Sequence, residues 1–170
     1  TAVFARSASL GLHGWHGIAW DASASLFYLS IDFPIGGTRQ GRLYTYEPRS
    51  RQAQLVGLLP QTGFFALDCD ANGQLWGVSP FGLYLIDKLS AQGSRFCAVP
   101  PSTFGFSIDR GTGQFFLTHR TGNGQGVLAE IVPRNGQILS SIALSGPTPL
   151  GFCFVDGVCP GRASTYGNGC

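Results

Sequence analysis

The residues of this chain best equipped for chemistry gather in one stretch, Asp68-Cys69-Asp70-Ala71-Asn72-Gly73. Oxygen-bearing side chains at alternate positions followed by glycine match the front of a calcium loop, D-x-D-x-N-G. There the oxygens surround the ion and the glycine permits a sharp turn. Such a loop takes a bidentate acid eleven positions after its first aspartate, and that position is Ser79. Asp68, Asp70 and Asn72 are therefore a weak metal candidate short of charge. The competing reading is a turn whose aspartate accepts backbone N–H groups through its own side chain.

The other reactive side chains are more scattered. His13 and His16 lie close together and His119 far away; a zinc site needs three or four ligands held by further hydrogen bonds. Residues three apart on a strand point to opposite faces, so isolated histidines are expected. Arg39, Arg42, Arg49 and Arg51 cluster around one apolar run. They form either a ligand surface for carboxylates or acidic sugars or a charged edge that resists wrong strand pairing. Trp15, Trp20 and Trp76 are sugar-stacking candidates, but the last two fall inside strand-like runs and read as core. No Gly-x-Ser-x-Gly elbow occurs and no Cys–His pair stands at suggestive spacing, so no catalytic residue is assigned.

The five cysteines, Cys69, Cys97, Cys153, Cys159 and Cys170, are odd in number, which leaves at least one free or bonded to another chain. Cys159 with Cys170, or Cys153 with Cys159, are the candidate bridges. Spacing does not choose between them.

The elements that position these residues repeat. FFALDCDANGQLWGVS at 64–79 is an apolar run, an Asp-containing turn and a second apolar run, and it returns as GIAWDASASLFYLS, GFSIDRGTGQFFLT and FCFVDGVCP. Its turn aspartates, Asp21, Asp68, Asp109 and Asp156, are spaced by 47, 41 and 47 residues, a period of blades or solenoid units. As repeat turn caps they are one expectation. Each unit continues into two more strand-like runs: RLYTYE and AQLVGLL, GLYLID and SRFCAV, GVLAEIV and QILSSIAL. Gly, Pro, Ser and Asp separate them, as antiparallel turns require. The Asn-Gly pairs at Asn72, Asn123 and Asn135 predict type I′ hairpin corners. Four antiparallel strands per repeat is the meander of a propeller blade.

The runs GRLYTYEP, FFALDCDANGQLWGVS, FGLYLID and FGFSID resemble blades of the β-propeller class with NHL-like or lactonase-like repeats, over roughly residues 15–157. The tail, with CPG and YGNGC, is similar to Cys-Gly ends of secreted bacterial repeat proteins. The resemblance implies an all-β, propeller-like chain: three four-stranded antiparallel blades, an unpaired N-terminal strand and a partial C-terminal blade. The expected boundaries are 1–14 for the lead, 15–157 for the blades (about 15–60, 62–100, 102–146 and a partial 149–157) and 158–170 for the tail. Propellers of this class include lactonases, lectins and protein-binding platforms, so fold alone does not choose a function. Lactonase-type members hold a metal at the channel mouth with Glu, Asn and Asp. Here Glu47 and Glu130 are the sole glutamates and both sit late in third strands, which argues against that enzyme class.

Only 12% of residues are charged and the formal net charge is +2, too little for the concentrated basic face of a nucleic-acid binder. No run of about 18 apolar residues marks a membrane span. The chain holds no methionine and starts at Thr1, which sets the expectation of a removed secretory segment and an extracellular or cell-surface location. Three blades, a lone strand around Ala2, Val3 and Phe4, and a fragment around Phe152 and Phe154 do not close a ring, which needs about four blades. The leading expectation is thus a secreted, non-enzymatic structural protein that self-assembles through incomplete blades and strand exchange, with itself as partner and no cofactor. The alternatives are a glycan- or protein-binding module and, behind it, a metal-dependent hydrolase.

Overall fold

The computed structural model describes residues 15–35 and 38–145, and every regular element among them is a β-strand. The first sheet contains β1 (Trp15–Asp21), β2 (Leu26–Ile35), β3 (Thr38–Glu47) and β4 (Gln52–Leu58). The second contains β5 (Ala66–Cys69), β6 (Leu75–Ser79), β7 (Gly82–Ile86) and β8 (Gly93–Cys97). The third contains β9 (Thr103–Asp109), β10 (Gln114–Arg120), β11 (Gly126–Ile131) and β12 (Ile138–Ala143). Each is an antiparallel meander in sequence order, and the first strands β1, β5 and β9 lie next to one another. The expected strand at 2–6, the partial blade carrying Phe152, Phe154 and Asp156, and the tail lie outside the described residues.

Sequence alternation decides which face of each sheet is buried. Ala19, Tyr28 and Leu43 of the first sheet pack on Phe64, Leu67, Leu75, Tyr84 and Ile86 of the second. On the other side, Trp76, Val78 and Leu83 of the second sheet meet Phe106, Ile108, Phe115, Leu117 and Ala129 of the third. The middle sheet is covered on both faces, and so LWGVS in β6 is buried throughout without polar alternation. Gly77 marks how close the approach is: a Cβ there would stand 2.8 Å from Phe64, Leu67 and Ile86.

The outer strand of every sheet is set by the same device. Register shifts occur between Leu43 and Tyr44, Leu83 and Tyr84, and Glu130 and Ile131, each time where the third strand pairs with the fourth. Such bulges add local twist, so each outer strand turns away from the mean plane of its blade.

The Asn-Gly corners differ from expectation. A type I′ turn needs positive φ at both central residues, yet only the glycines are left-handed: Gly73 at 73°, Gly124 at 84° and Gly136 at 72°. Asp70 N donates to Gln74 O and Gly73 N to Asp70 O, and the Thr121–Gln125 loop is built alike. These two are three-residue loops closed by a left-handed glycine, the type I plus bulge arrangement, while the Val132–Gln137 loop is one residue longer. The cause is side-chain chemistry. Asn123 Oδ1 accepts Gln125 N and Asn135 Oδ1 accepts Gln137 N, a local bond that holds the asparagine in its ordinary conformation.

Phe64 ties the first interface together. It is fully buried, its ring meets Tyr84 edge-on at 5.2 Å, and its carbonyl accepts Ser30 Oγ at 2.6 Å. Replacing Phe64 by Ala is expected to cost about 3–5 kcal/mol and lower the melting temperature by on the order of 10 °C. Urea unfolding and a thermal melt check this; a loss within experimental error of zero contradicts the packing described.

Candidate functional site

The polar side chains that converge from different blades do so at the turns after the first strands. Asp21 ends β1 and caps its own turn: Oδ1 accepts Ser23 N at 3.0 Å, Ser23 Oγ at 2.6 Å and Ala24 N at 3.3 Å. Its Oδ2 takes Lys88 Nζ at 2.5 Å from the β7–β8 turn of the second blade. Asp21 is 1% exposed. Burial pushes its carboxyl up, but the bonds from Lys88, Ser23 and Ala24 outweigh this and leave it below its ordinary value of 3.8. Burial likewise pulls Lys88 down, and Asp21 more than restores it, above 10.5. The same ammonium sits 5.9 Å from the centre of the Tyr28 ring.

Asp68, the equivalent of Asp21 in the second blade, leaves its own hairpin corner to Asp70 and reaches to the third blade. Its Oδ2 accepts Ser107 Oγ at 2.7 Å and Ile108 N at 2.8 Å, and its Oδ1 accepts Cys69 N at 2.8 Å. Arg110 returns the connection. Its Nη2 lies 3.5 Å from Asp68 Oδ1 and donates to Trp20 O at 2.7 Å, while Nε donates to Cys69 O at 2.9 Å. One guanidinium therefore touches all three blades, using the planar fork of donors that a lysine lacks.

Asp70 caps the DANGQ corner, accepting Asn72 N, Gln74 N and Trp76 Nε1. The carboxylate oxygens of Asp68 and Asp70, proposed from sequence as metal ligands with Asn72, are thus engaged by backbone and side-chain donors. Asp109 caps its own turn through Gly111 N and Thr112 N, as Asp87 does through Leu89 N and Ser90 N. With Asp32 on Gly63 N, Glu47 on Ser50 Oγ, and Glu130 on Gln114 and Ser140, every acidic side chain among the described residues accepts a hydrogen bond. Among those residues no group of three His, Cys, Asp or Glu is arranged for a metal ion.

The remaining sequence candidates do not converge. Arg39 and Arg42 belong to the first half of β3, while Arg49 and Arg51 lie exposed in the turn beyond its end. At ~3.3 Å per residue of strand the two pairs are too far apart to grip one small ligand. His119 is buried beside the β9–β10 register shift, and its Nε2 has no hydrogen-bond partner among the described residues. Cys69 and Cys97 are free, buried thiols; burial pushes Cys69 up to about 12 and raises Cys97, so neither is a thiolate nucleophile at neutral pH. Cys153, Cys159, Cys170 and His13 lie outside the described residues. Trp76 packs between the second and third blades, edge-on to Phe115 at 5.1 Å, and Trp20 stacks on Phe27 at 4.7 Å on the far face of the first blade.

One open cleft of about 630 Å³ lies beside the clamp, with Asn72, Gln74, Lys88, Gln92 and Ser94 along its walls. Sequence reasoning passed over Lys88 and Arg110 as functional residues. The available signals were that Lys88 is the single lysine of the chain and that Arg110 directly follows a turn aspartate.

No protein-family model matches the chain, and no curated protein matches it. Among solved structures, a chain of the nidogen/laminin complex superposes with a TM-score of 0.60 at 12% identity, over 81% of this chain and 51% of that one. The three sheets are β-propeller blades. Weaker likenesses are hydrazine synthase of Kuenenia stuttgartiensis, with TM-score 0.48, 11% identity and 85% and 53% of the two chains, and the Dos1 propeller, with 0.43, 14% identity, 81% and 36%. The chain spans about half the length of the nidogen/laminin chain it matches.

The Asp21–Lys88 pair sets a pH dependence. Asp21 titrates below 3.8 in the fold, so its contribution is complete above that value and is lost as pH falls through the depressed pKa. Lys88 titrates above 10.5, so its contribution holds below that value and is lost as pH rises through the raised one. Lys88→Ala is expected to cost about 2 kcal/mol at neutral pH, leaving a buried carboxylate without its cation. In urea titrations the gap to the native protein should close as pH falls below Asp21's range; an acid-independent gap contradicts the pairing.

Proposed function

We propose that this chain is a non-enzymatic structural propeller module that works by self-assembly, its end blades docking on those of a second copy. The observation that carries the reading is the character of the two ends of the blade stack. On the first blade's face away from the second, Leu29 and Ile31 are buried while Ile18 is 60% and Leu55 53% exposed. Beside them stands a half-buried aromatic row of Trp20, Phe27 and Tyr46. On the outer face of the third blade Ile142 is exposed opposite half-buried Leu128. Both interior blade interfaces bury surfaces of this kind, and contiguous apolar patches on a surface mark interaction sites. The three described blades are fewer than the four or more that close a ring, and an end face that meets its complement on a second copy either closes an oligomer or propagates a filament.

The non-enzymatic part rests on the carboxylates of the described residues, which accept hydrogen bonds in turns and clamps, and on the thiols of Cys69 and Cys97, held protonated by burial. The NHL-like or lactonase-like kinship and an extracellular location rest on the sequence resemblance. Buried Cys69 and Cys97 are sheltered in an oxidising compartment. A second reading, a glycan-binding or protein-binding module, draws support from the amide-lined cleft at Asn72, Gln74 and Gln92; saturable binding on a glycan array by a monomeric protein would favour it.

Size-exclusion chromatography with light scattering tests the main reading. The expected result is a mass well above 18.0 kDa at micromolar concentration, reduced by the double substitution Ile18→Glu and Leu55→Glu. A clean monomer across that range overturns it.

A further inference from the structure

We propose that the free edge of β12 is a pairing seam for a second copy of this chain, β12 against β12 in antiparallel register, joining two third blades into one continuous sheet. The inference rests on the self-assembly reading, but it names a seam distinct from the blade faces.

Four observations carry it. First, among the described residues β12 bonds to β11 on one side and ends its sheet on the other, and all of its residues are exposed, with Leu139 at 58% and Ile142 at 65%. An unpaired row of N–H and C=O groups is a template for another strand. Second, no charged residue and no proline occurs from Asn135 to Ser145, and the run ILSSIA carries two β-branched isoleucines and no glycine, features of segments that self-pair.

Third, the other two outer strands are guarded. β8 carries exposed Arg95 at its centre and runs into Pro100 and Pro101. It also has Gly136 of the following blade pressed against Ala98 just beyond its end. β4 follows directly on Arg49 and Arg51, and its Gly57 lies against Ser90 and Ala91 of the following blade. Charges and covering loops are the ordinary protections of a sheet edge. β12 itself has neither among the described residues, its nearest charge being exposed Arg134 in the preceding turn.

Fourth, the strand suits itself as a partner. The register shift in β12 falls between Ile138 and Ser140, and the pairing from Ser140 to Ala143 is regular. Directly opposed residues share a face of the sheet, so a two-fold pair must centre on a residue. Centred on Ser141, it sets Ser141 opposite itself and Ser140 opposite Ile142, with no like charges opposed. The same operation on β8 would oppose Arg95 to Arg95. A formal net charge of +2 adds little repulsion between copies.

Cross-linking and light scattering on the full chain test the seam. Opposed Cβ atoms in such a pair stand ~5 Å apart, within reach of a disulfide after small adjustment. Ser141→Cys under mild oxidation should give a band at twice the chain mass on a non-reducing gel, well above the level that the native cysteines give in parallel. Leu139→Lys and Ile142→Lys, at exposed positions, should keep the native melting temperature and weaken association by about tenfold or more through opposed and unsatisfied charge. If both lysine variants assemble at native concentrations and Ser141→Cys links no better than the native protein, the seam is refuted. Loss of assembly in the Ile18 and Leu55 variant would then leave blade-face association standing. A native protein that stays monomeric overturns both.

Discussion

The three sheets of this protein share no strand-to-strand ladder, so everything that makes them one body must cross between blades through side chains. Arg110 concentrates that requirement. Its guanidinium takes the carbonyls of Trp20 and Cys69 and approaches Asp68, while Asp68 takes Ile108 N and Ser107 Oγ from the blade that carries Arg110. The exchange is reciprocal between the second and third blades and reaches the first. The angle between neighbouring blades is therefore held at the inner turns by directional bonds, while the apolar clusters farther out supply most of the burial and none of the direction.

This division explains why the clamp is made of charges in a chain with so few. Carbonyl oxygens at the end of a first strand have no further ladder partner, and leaving a buried acceptor unsatisfied costs about 1–3 kcal/mol. A single arginine satisfies two such carbonyls from different blades at once. Asp21 and Lys88 work on the same principle one interface earlier. There the carboxylate would be costly to bury alone, and it is held by its turn and by the cation together. Polar residues at blade interfaces thus select one relative placement among the many that flat apolar faces would tolerate.

Much of the architecture could be read from the sequence because its signals are local. Alternating apolar runs, turn residues at fixed offsets and a returning Asp turn are each contained within about fifteen residues, and all twelve described strands fall on or overlap the runs they define. The turn type was misjudged for a physical reason: Asn-Gly reports a left-handed glycine, but whether the asparagine is left-handed too depends on where its side-chain oxygen bonds. Asn123 and Asn135 bond forward to the chain two residues on. The clamp was out of reach for a different reason. Asp21 and Lys88 are 67 residues apart and Asp68 and Ile108 are 40 apart, and nothing in either local pattern names the partner. Asp68 resembled its sister turn aspartates in sequence, and only the neighbouring blade shows that it does a different job while Asp70 takes over the corner.

The use of the carboxylates has a consequence for the surface. Because Asp21 and Asp68 are drawn into the clamps and only 12% of the chain is charged, the exterior of the described residues carries few acidic groups, among them the turn residues Glu47 and Asp87. Solubility in most proteins of this size comes from interspersed charges that also keep copies apart. Here the charges that hold the blades are the ones missing from that role. The exposed apolar rows at the two ends of the stack meet correspondingly little electrostatic opposition. The economy that lets so few acidic side chains organise three sheets leaves the ends of the described stack with little charge, whereas β8 carries Arg95 and β4 follows directly on Arg49 and Arg51.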